Sequence, residues 1–578
     1  MINIVKAEKQ FKFSVTLKNA KVTRKVIIPK FSKMNNSVKT PLLLNDENQI
    51  NLNYRTNYPN YQIKSKNLKS FNENDKNNNN NNDYSIIVGR YSSNSKGVTA
   101  QCLVIGAVFI LMAGCGMPIG YSAILLPQLL ENNGTLHIDT ETGSWIASVH
   151  SLATPIGAIV SGPIMEFIGR RGSLQFAAIP LCSGWITMAF AKYVHHIFIG
   201  RILSGFAVGL TAVPSQVILS EMADPKLRGM LVGGTIAAYS AGILFIYTLG
   251  AILRWDFVAI YGTIPSIIGF FTLCMIHESP AWLIKQNRME AAKKALLWLR
   301  GGDKSQVIIE ASILEARANA NFVGKSINPS LREKALSVFS RMFNPGVIKP
   351  MIIINVFNVL QLLSGTYVII FYGVDLMKHI GVNNLNNYLW AALLAVMRLM
   401  FSIVACFLLL KVNRRTLALL SGIVTGSSAL ILASYLLLQK GISPYDIYVL
   451  GSCLLIYVAA STIGFLTLPR IMVGELLPHR VRGLGGSFTF FLFHITLFGV
   501  TKYFPQMSES IGMPGIFLLF ANFAFMTVAF TYFFLPETKD RTHQEIEDYF
   551  QKGNIFWISK KEERKQTINL MTYNNQYK

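Results

Sequence analysis

The sequence predicts an all-α membrane protein: twelve transmembrane helices in two six-helix halves, joined by a cytoplasmic helical insert. Three observations carry that prediction. The chain has 578 residues, of which 51% are hydrophobic and 15% charged, against about 25% charged in ordinary soluble domains. Its mean hydropathy is +0.37, too apolar for a water-soluble protein of this length. Its charges also recur in a pattern that divides the apolar region in two.

The elements follow in order. Residues 1–97 are rich in Asn, Ser and Lys and include the run Asn77–Asn82. Little there could bury a core, so a disordered, basic cytoplasmic tail is expected. From residue 98, apolar runs of about 20 residues alternate with short polar joints, and each run suffices to cross about 30 Å of hydrocarbon. They lie near residues 101–130, 142–161, 173–191, 197–219, 229–252 and 257–276, and near 348–372, 387–410, 417–438, 445–468, 483–503 and 514–534. The halves are thus 98–284 and 346–540. Between them, 285–345 is charged and amphipathic. Ala291, Ala292, Ala295, Leu296 and Leu299 share a helical face with Lys293 and Arg300 opposite, as a soluble helical linker requires. Residues 541–578 read as a C-terminal cytoplasmic tail.

Charge sets the orientation. Arg170-Arg171, Lys226–Arg228, the insert, Arg414-Arg415, Arg480–Arg482 and Lys539–Arg541 fall on one side of twelve alternating helices. The positive-inside rule makes that side cytoplasmic, with both termini inside. Asn133-Gly134-Thr135 then lies in an outer loop, where Asn133 is a candidate glycosylation site. The net charge of +24 does not indicate nucleic-acid binding, because the basic residues sit in the tail and short loops rather than along a soluble surface. The 6 cysteines make no metal-spaced or disulfide pattern and read as reduced packing residues. No P-loop, HExxH or GxSxG motif occurs, so neither an enzyme nor an ATP-driven pump is expected, and no cofactor or metal.

The repeat is written in the charges. Glu221 and Arg228 close the fourth run, and Glu475 and Arg482 close the tenth with the same spacing. Arg170-Arg171 recurs as Arg414-Arg415, and Glu278-Ser279 as Glu537-Thr538. The offsets are 254, 244 and 259 residues (475 − 221, 414 − 170 and 537 − 278). Two parallel halves of this kind place a substrate site near the bilayer midplane, with one half rocking against the other. These charges, with Glu166, are expected to pair across the seam between halves as a cytoplasmic gate. Each exposed pair contributes about 1 kcal/mol or less, but several together bias a two-state equilibrium.

The motifs now resemble a known family. Gly162-Pro-Ile-Met-Glu166-Phe-Ile-Gly169-Arg170-Arg171 is similar to the signature loop of the major facilitator superfamily. Arg201-Ile-Leu-Ser-Gly205-Phe-Ala-Val-Gly209, His277-Glu278-Ser279-Pro280-Ala281-Trp282-Leu283, Gln361-Leu-Leu-Ser364-Gly365 and Pro536-Glu537-Thr538-Lys539-Asp540-Arg541-Thr542 resemble its sugar porter branch. The resemblance covers residues of about 100–550 and implies the major facilitator fold. It also implies facilitated sugar transport of the trehalose or hexose class across the plasma membrane, by a monomer in the lipid bilayer. Gln361, Ser364, Tyr367, Tyr372 and Arg470 are the implied substrate contacts. The departures concern substrate: Leu362 replaces a second glutamine, Tyr367 an asparagine, Ile236 a fifth-helix glutamine, and Arg470 a tryptophan. Arg398 is a further intramembrane cation, which defaults to a functional or paired role. Arg398 and Arg470 together open a second reading, a carrier of another small organic solute, anions included. A third is a sugar sensor that does not transport. The first run contains no Asp or Glu and has Ser122 where proton-coupled relatives carry a carboxylate, so uniport is expected.

Overall fold

A backbone inside hydrocarbon must satisfy its own N–H and C=O groups, so a chain of long apolar runs folds as helices. The computed structural model describes residues 97–130, 136–223, 230–304, 346–376, 388–438, 448–477 and 485–539, with some side chains left aside at 232. It also describes the backbone of the adjoining helix ends, stretches within 307–315 and 545–550, and backbone strands between residues 2 and 64.

Among the described residues, ten helices are long and apolar enough to cross a membrane. Two of them, Thr140–Ala189 and Arg482–Phe534, are about twice the length a bilayer needs. Each is interrupted once by a glycine at positive φ, Gly169 at 92° and Gly512 at 66°. Dividing both at these glycines gives twelve segments, consistent with the twelve apolar runs of the sequence. The remaining long helices of the first half are Ser95–Leu130, Val194–Met222, Arg228–Gly250 and Trp255–Cys274. In the second half they are Pro345–Leu363, Asn387–Lys411 and Arg414–Leu438, followed by Asp446–Ser461, which continues through a π turn into Leu468–Leu476.

Side chains facing away from the bundle are large and apolar, including Ile156, Ile159, Ile179, Phe271, Leu420 and Ile431. Such a belt suits lipid, where an exposed isoleucine carries no hydration penalty. The core of the second half gathers Phe357, Leu417, Phe465, Leu468 and Ala524, together with Ile546, Tyr549 and Phe550. The last three were expected in the tail from 541. They are buried because an apolar face runs past the last span. All six cysteines are free; Cys115 and Cys406 are buried, whereas Cys102 and Cys274 lie exposed on the bundle's surface rather than packed inside.

The seventh run breaks at a turn. Pro345–Leu363 ends, the short helix Val368–Phe371 follows, and Gly365 between them has φ of 83°. Ser364 Oγ donates to the Gln361 carbonyl at 2.7 Å, and Tyr457 Oη donates to the Ser364 carbonyl. These bonds satisfy groups the break frees. A Cβ at Gly365 would sit 2.4 Å from the Phe520 ring, so both backbone and packing require glycine there.

Residues 1–98 and 283–328 form a second compact unit. Within it, Met289–Leu299 buries Ala292, Ala295, Leu296 and Leu299 of the apolar face expected in the linker, whereas Ala291, expected on that face, is exposed. The Arg300 guanidinium meets the Glu310 carboxylate at 2.9 Å. Ahead of it, where disorder was expected, the backbone forms two three-stranded antiparallel sheets, Ile2–Ala7 with Gln10–Thr16 and Thr23–Ile28, then Leu43–Asn45 with Gln49–Leu52 and Tyr61–Lys64. Short alternations such as Gln10-Phe-Lys-Phe-Ser-Val-Thr carry this signal, which bulk composition conceals. The Asn77–Asn82 run lies outside the described residues.

Gly365→Ala should lower the unfolding free energy by about 1–3 kcal/mol, the penalty of a strained backbone conformation. Gly474→Ala, where an added Cβ meets nothing within 4 Å, should stay near wild type. Thermal unfolding of the purified protein checks both.

Candidate functional site

Two groups of polar residues stand out against the apolar bundle. The first lies at the end carrying the paired arginines. Where Gly169 breaks its helix, a new helix begins, and its first N–H groups have no intrahelical acceptor. The Glu278 carboxylate supplies one. Its oxygens accept from the N–H of Arg170 at 2.9 Å, of Arg171 at 3.1 Å and of Gly172 at 3.3 Å. A negative charge is favoured there by the helix dipole as well. A Cβ on residue 169 would fall 2.4 Å from Glu278 Oε2, so only glycine admits the carboxylate.

Beside this cap, Arg170 grips Glu221 through two parallel bonds, Nε to Oε2 and Nη2 to Oε1, both 3.1 Å. That fork is the strong geometry for an arginine–carboxylate pair. Ser279 Oγ also donates to Glu221. The second half repeats the plan. Glu537 accepts from the N–H of Arg414 and of Arg415, each at 3.1 Å. Arg414 Nη2 reaches Glu475 at 3.0 Å, and Thr538 Oγ1 donates to Glu475.

The charge repeat is therefore a repeat of contacts. The partners differ from those expected: the ion pairs described at this end, Arg170–Glu221 and Arg414–Glu475, each stay within one half. The reason is geometric, since both members of a pair end neighbouring helices of the same half. Arg170 Nη1 and Arg414 Nε find no partner among the described residues. Glu166 is exposed and its carbonyl accepts from Trp282 Nε1 at 3.0 Å. The Arg228 and Arg482 side chains and Asn133 lie outside the described residues.

The second group lies along the seam, toward the middle of the bundle. Gln361 is 1% exposed, and its Oε1 finds no partner among the described residues. Tyr367 packs edge-on to Phe493 at 5.4 Å. Arg398, also buried, stands over the Tyr367 ring at 5.7 Å, and its Nε is unpartnered among the described residues. Arg470 is half-buried and stands over the Tyr239 ring at 5.7 Å. An arginine at a helix centre in a bilayer costs about 2.5–3.5 kcal/mol on insertion scales. An aromatic face offsets part of that through the ring quadrupole.

Not every expected contact faces this centre. The Ser364 hydroxyl is turned into its own helix, as described above. Tyr372 Oη donates to the Thr501 carbonyl at 2.9 Å, and its ring packs on Phe504. His494 hydrogen-bonds the Phe490 carbonyl through Nδ1 at 3.0 Å and lies against the Phe490 ring, as a packed histidine does.

Five residues were missed from sequence. Arg201 is fully buried and ties three helices together. Its Nη2 donates to Ser122 Oγ at 2.6 Å, its Nε to the Ile146 carbonyl at 3.1 Å, and its Nη1 to the Pro118 carbonyl. His150, 1% exposed, meets Ser204 Oγ through Nδ1 at 3.3 Å, and its Nε2 is unpartnered among the described residues. Tyr239 reads as ordinary apolar filling in sequence. Lys502 is buried at the end opposite the charged clusters. Its Nζ donates to Ser144 Oγ at 2.8 Å and lies 4.4 Å from the Trp145 ring, while Trp145 packs on Phe498. Tyr247 Oη donates to the Ile370 carbonyl. At that end, then, side chains of one half close onto the other.

Comparison with known proteins agrees with this architecture. The family model described as sugar (and other) transporter matches residues 65–550. The chain belongs to the sugar (and other) transporter family. Among curated members, it is similar to the facilitated trehalose transporter Tret1 of Bombyx mori, 29% identical over 458 residues, covering 78% of this chain and 87% of that one. It is 28% identical over 466 residues to the Aedes aegypti protein of the same name, covering 80% of this chain and 56% of the relative. The chain thus spans nearly all of the first and about half of the second. Among solved structures, the proton:xylose symporter XylE, of the major facilitator superfamily, bound to 6-bromo-6-deoxy-D-glucose aligns with TM-score 0.64 at 18% identity, over 78% of this chain and 100% of that one. The inward open xylose transporter XylE from E. coli aligns with TM-score 0.62, also at 18% identity, over 78% and 99%. These structures show the major facilitator fold.

A double-mutant cycle separates pairing within a half from pairing across the seam. Arg170→Ala and Glu221→Ala should couple by about 0.5–3 kcal/mol in thermal unfolding, the range for residues in direct contact. Arg170→Ala and Glu475→Ala should couple more weakly than that pair. Coupling of Arg170 to Glu475 instead would restore the cross-seam zipper.

Proposed function

We propose that the chain is a facilitative sugar carrier of the trehalose or hexose class, not an enzyme, and that it works by alternating access without ion coupling. The observation that carries this reading is the family match over residues 65–550 on a fold whose halves repeat the same polar contacts. Two rigid halves around a central polar site form the arrangement that rocking carriers use. The positive-inside rule puts the Arg170 and Arg414 end in the cytoplasm, with both termini inside, and the family resemblance favours the plasma membrane.

The seam supports a described state closed on the outer side, where Trp145, Phe498, Ser144 and Lys502 meet. In the opposite state, the inner end closes. The inner clusters then act as its gate, with Arg170, Arg171, Glu221, Arg228, Glu278 and Glu166 facing Arg414, Arg415, Glu475, Arg482 and Glu537. The unpartnered Arg170 Nη1 and Arg414 Nε are donors available for that exchange. Within the centre, Gln361 Oε1 needs a donor, which a sugar hydroxyl supplies. Tyr367 supplies an aromatic face and Arg470 a charged one. Ser364 contributes by holding the break in the seventh run, and Tyr372 by tying the end of that run to Thr501 and Phe504.

Uniport is supported by Ser122. Its hydroxyl sits at 2.6 Å from Arg201 Nη2. The position therefore holds a hydroxyl bound to a guanidinium where a carboxylate would supply a proton site.

Labelled glucose and trehalose should enter proteoliposomes saturably, at the same rate with and without a pH gradient. Gln361→Ala should raise KM up to about tenfold, the worth of one neutral hydrogen bond, at unchanged reconstitution yield. A rate that follows the pH gradient would contradict uniport.

A further inference from the structure

The central site holds two guanidinium groups, and the charge that should balance them is not among its described neighbours. None of the described ion pairs includes Arg398 or Arg470. The groups interacting with Arg398 are Tyr367, Tyr247, Tyr239 and Arg470, without a carboxylate. Tyr239 in turn interacts with both arginines and with Tyr367. His494 lies within reach of Arg470 and is bound to its own helix. So two like charges approach one pair of rings from different helices, one of them 4% exposed with a donor unmet. Gln361, in the last turn before the break in the seventh run, has its acceptor unmet, and Tyr367 follows that break. Intramembrane cations are ordinarily paired or functional. A guanidinium prefers a planar or tetrahedral oxyanion, which it binds through two donors at once.

We propose that this site takes an acidic sugar: a hydroxylated ring or short saccharide bearing one oxyanion, which lies between Arg398 and Arg470 while a ring hydroxyl donates to Gln361 Oε1. Tyr239 and Tyr367 flank the sugar body. The proposal rests on the carrier reading and narrows its substrate class. A carboxylate and a phosphate ester share the required chemistry.

The test uses the full chain in proteoliposomes with four labelled probes: glucuronate, glucose 6-phosphate, glucose and trehalose. At least one of the two acids should show a kcat/KM tenfold or more above glucose, and which acid wins distinguishes carboxylate from phosphate. An inside-positive potential set with potassium and valinomycin should speed the acid and leave glucose unchanged, because only the acid carries charge across. In Arg398→Gln and Arg470→Gln the ratio of acid to glucose should fall toward one. The potential effect needs no variant, so it stands even where a variant folds poorly. In parallel, the thermal shift produced by each probe is read in detergent.

Robust glucose flux with no acid preference and no potential effect overturns the proposal and leaves the carrier reading intact. Absence of all flux, with thermal stabilisation by an acid but not by glucose, supports the site and overturns transport. Absence of both flux and selective stabilisation overturns both.

Discussion

Everything in this protein depends on satisfying polar groups where water is absent. Twelve apolar segments can cross a bilayer only as helices, and each helix end inside the bundle leaves donors or acceptors to be met. At the arginine-bearing end, two helix starts are met by carboxylates from the segment that follows the last long helix of the same half. Glu278 receives the first N–H groups after Gly169, and Glu537 those of Arg414 and Arg415. Glu221 and Glu475 then hold the arginines that follow. These contacts are too local to join the halves. They make each half a braced body, which is what a rocking mechanism needs from its parts.

The seam is built from different material. At the end away from the braces it is closed by a buried lysine, a tryptophan and a phenylalanine. Toward the middle it holds arginines, tyrosines and an amide with unmet hydrogen-bonding atoms. Unsatisfied buried polar atoms are expensive, and in a carrier they mark the place where a ligand completes the bonding. Arg201 is the opposite case: its described bonds reach the Pro118, Ile146 and Ala147 carbonyls and Ser122, so it ties the first half together.

Much of this is legible in sequence, for physical reasons. Hydrocarbon thickness sets the run length, so the spans are readable as runs of about 20 residues. A repeated half repeats its helix-end chemistry, so the offsets of Glu221, Arg170 and Glu278 are readable too. Partner choice is not readable, because a repeat says which residues are equivalent and not whether they pair at home or across the seam. Arg201 carried a signal that was passed over: it is an arginine in an apolar run, the same argument that singled out Arg398. Tyr239 and Lys502 carry none, since a tyrosine mid-helix and a lysine near a helix end are common. In the N-terminal segment the alternation in Gln10–Thr16 was present and was outweighed by composition.

The central claim is that each half moves as one body while the seam opens and closes, and inter-label distances test it directly. Spin labels at Phe167 and Met275 lie within the first half, and labels at Phe167 and Leu410 span the two; all three positions are exposed. The account predicts one distance for the first pair, unchanged when glucose, trehalose or glucuronate is added. It predicts two populated distances for the second pair, with their ratio shifted by at least one of those solutes. A change within the first half as large as that across the seam would contradict it.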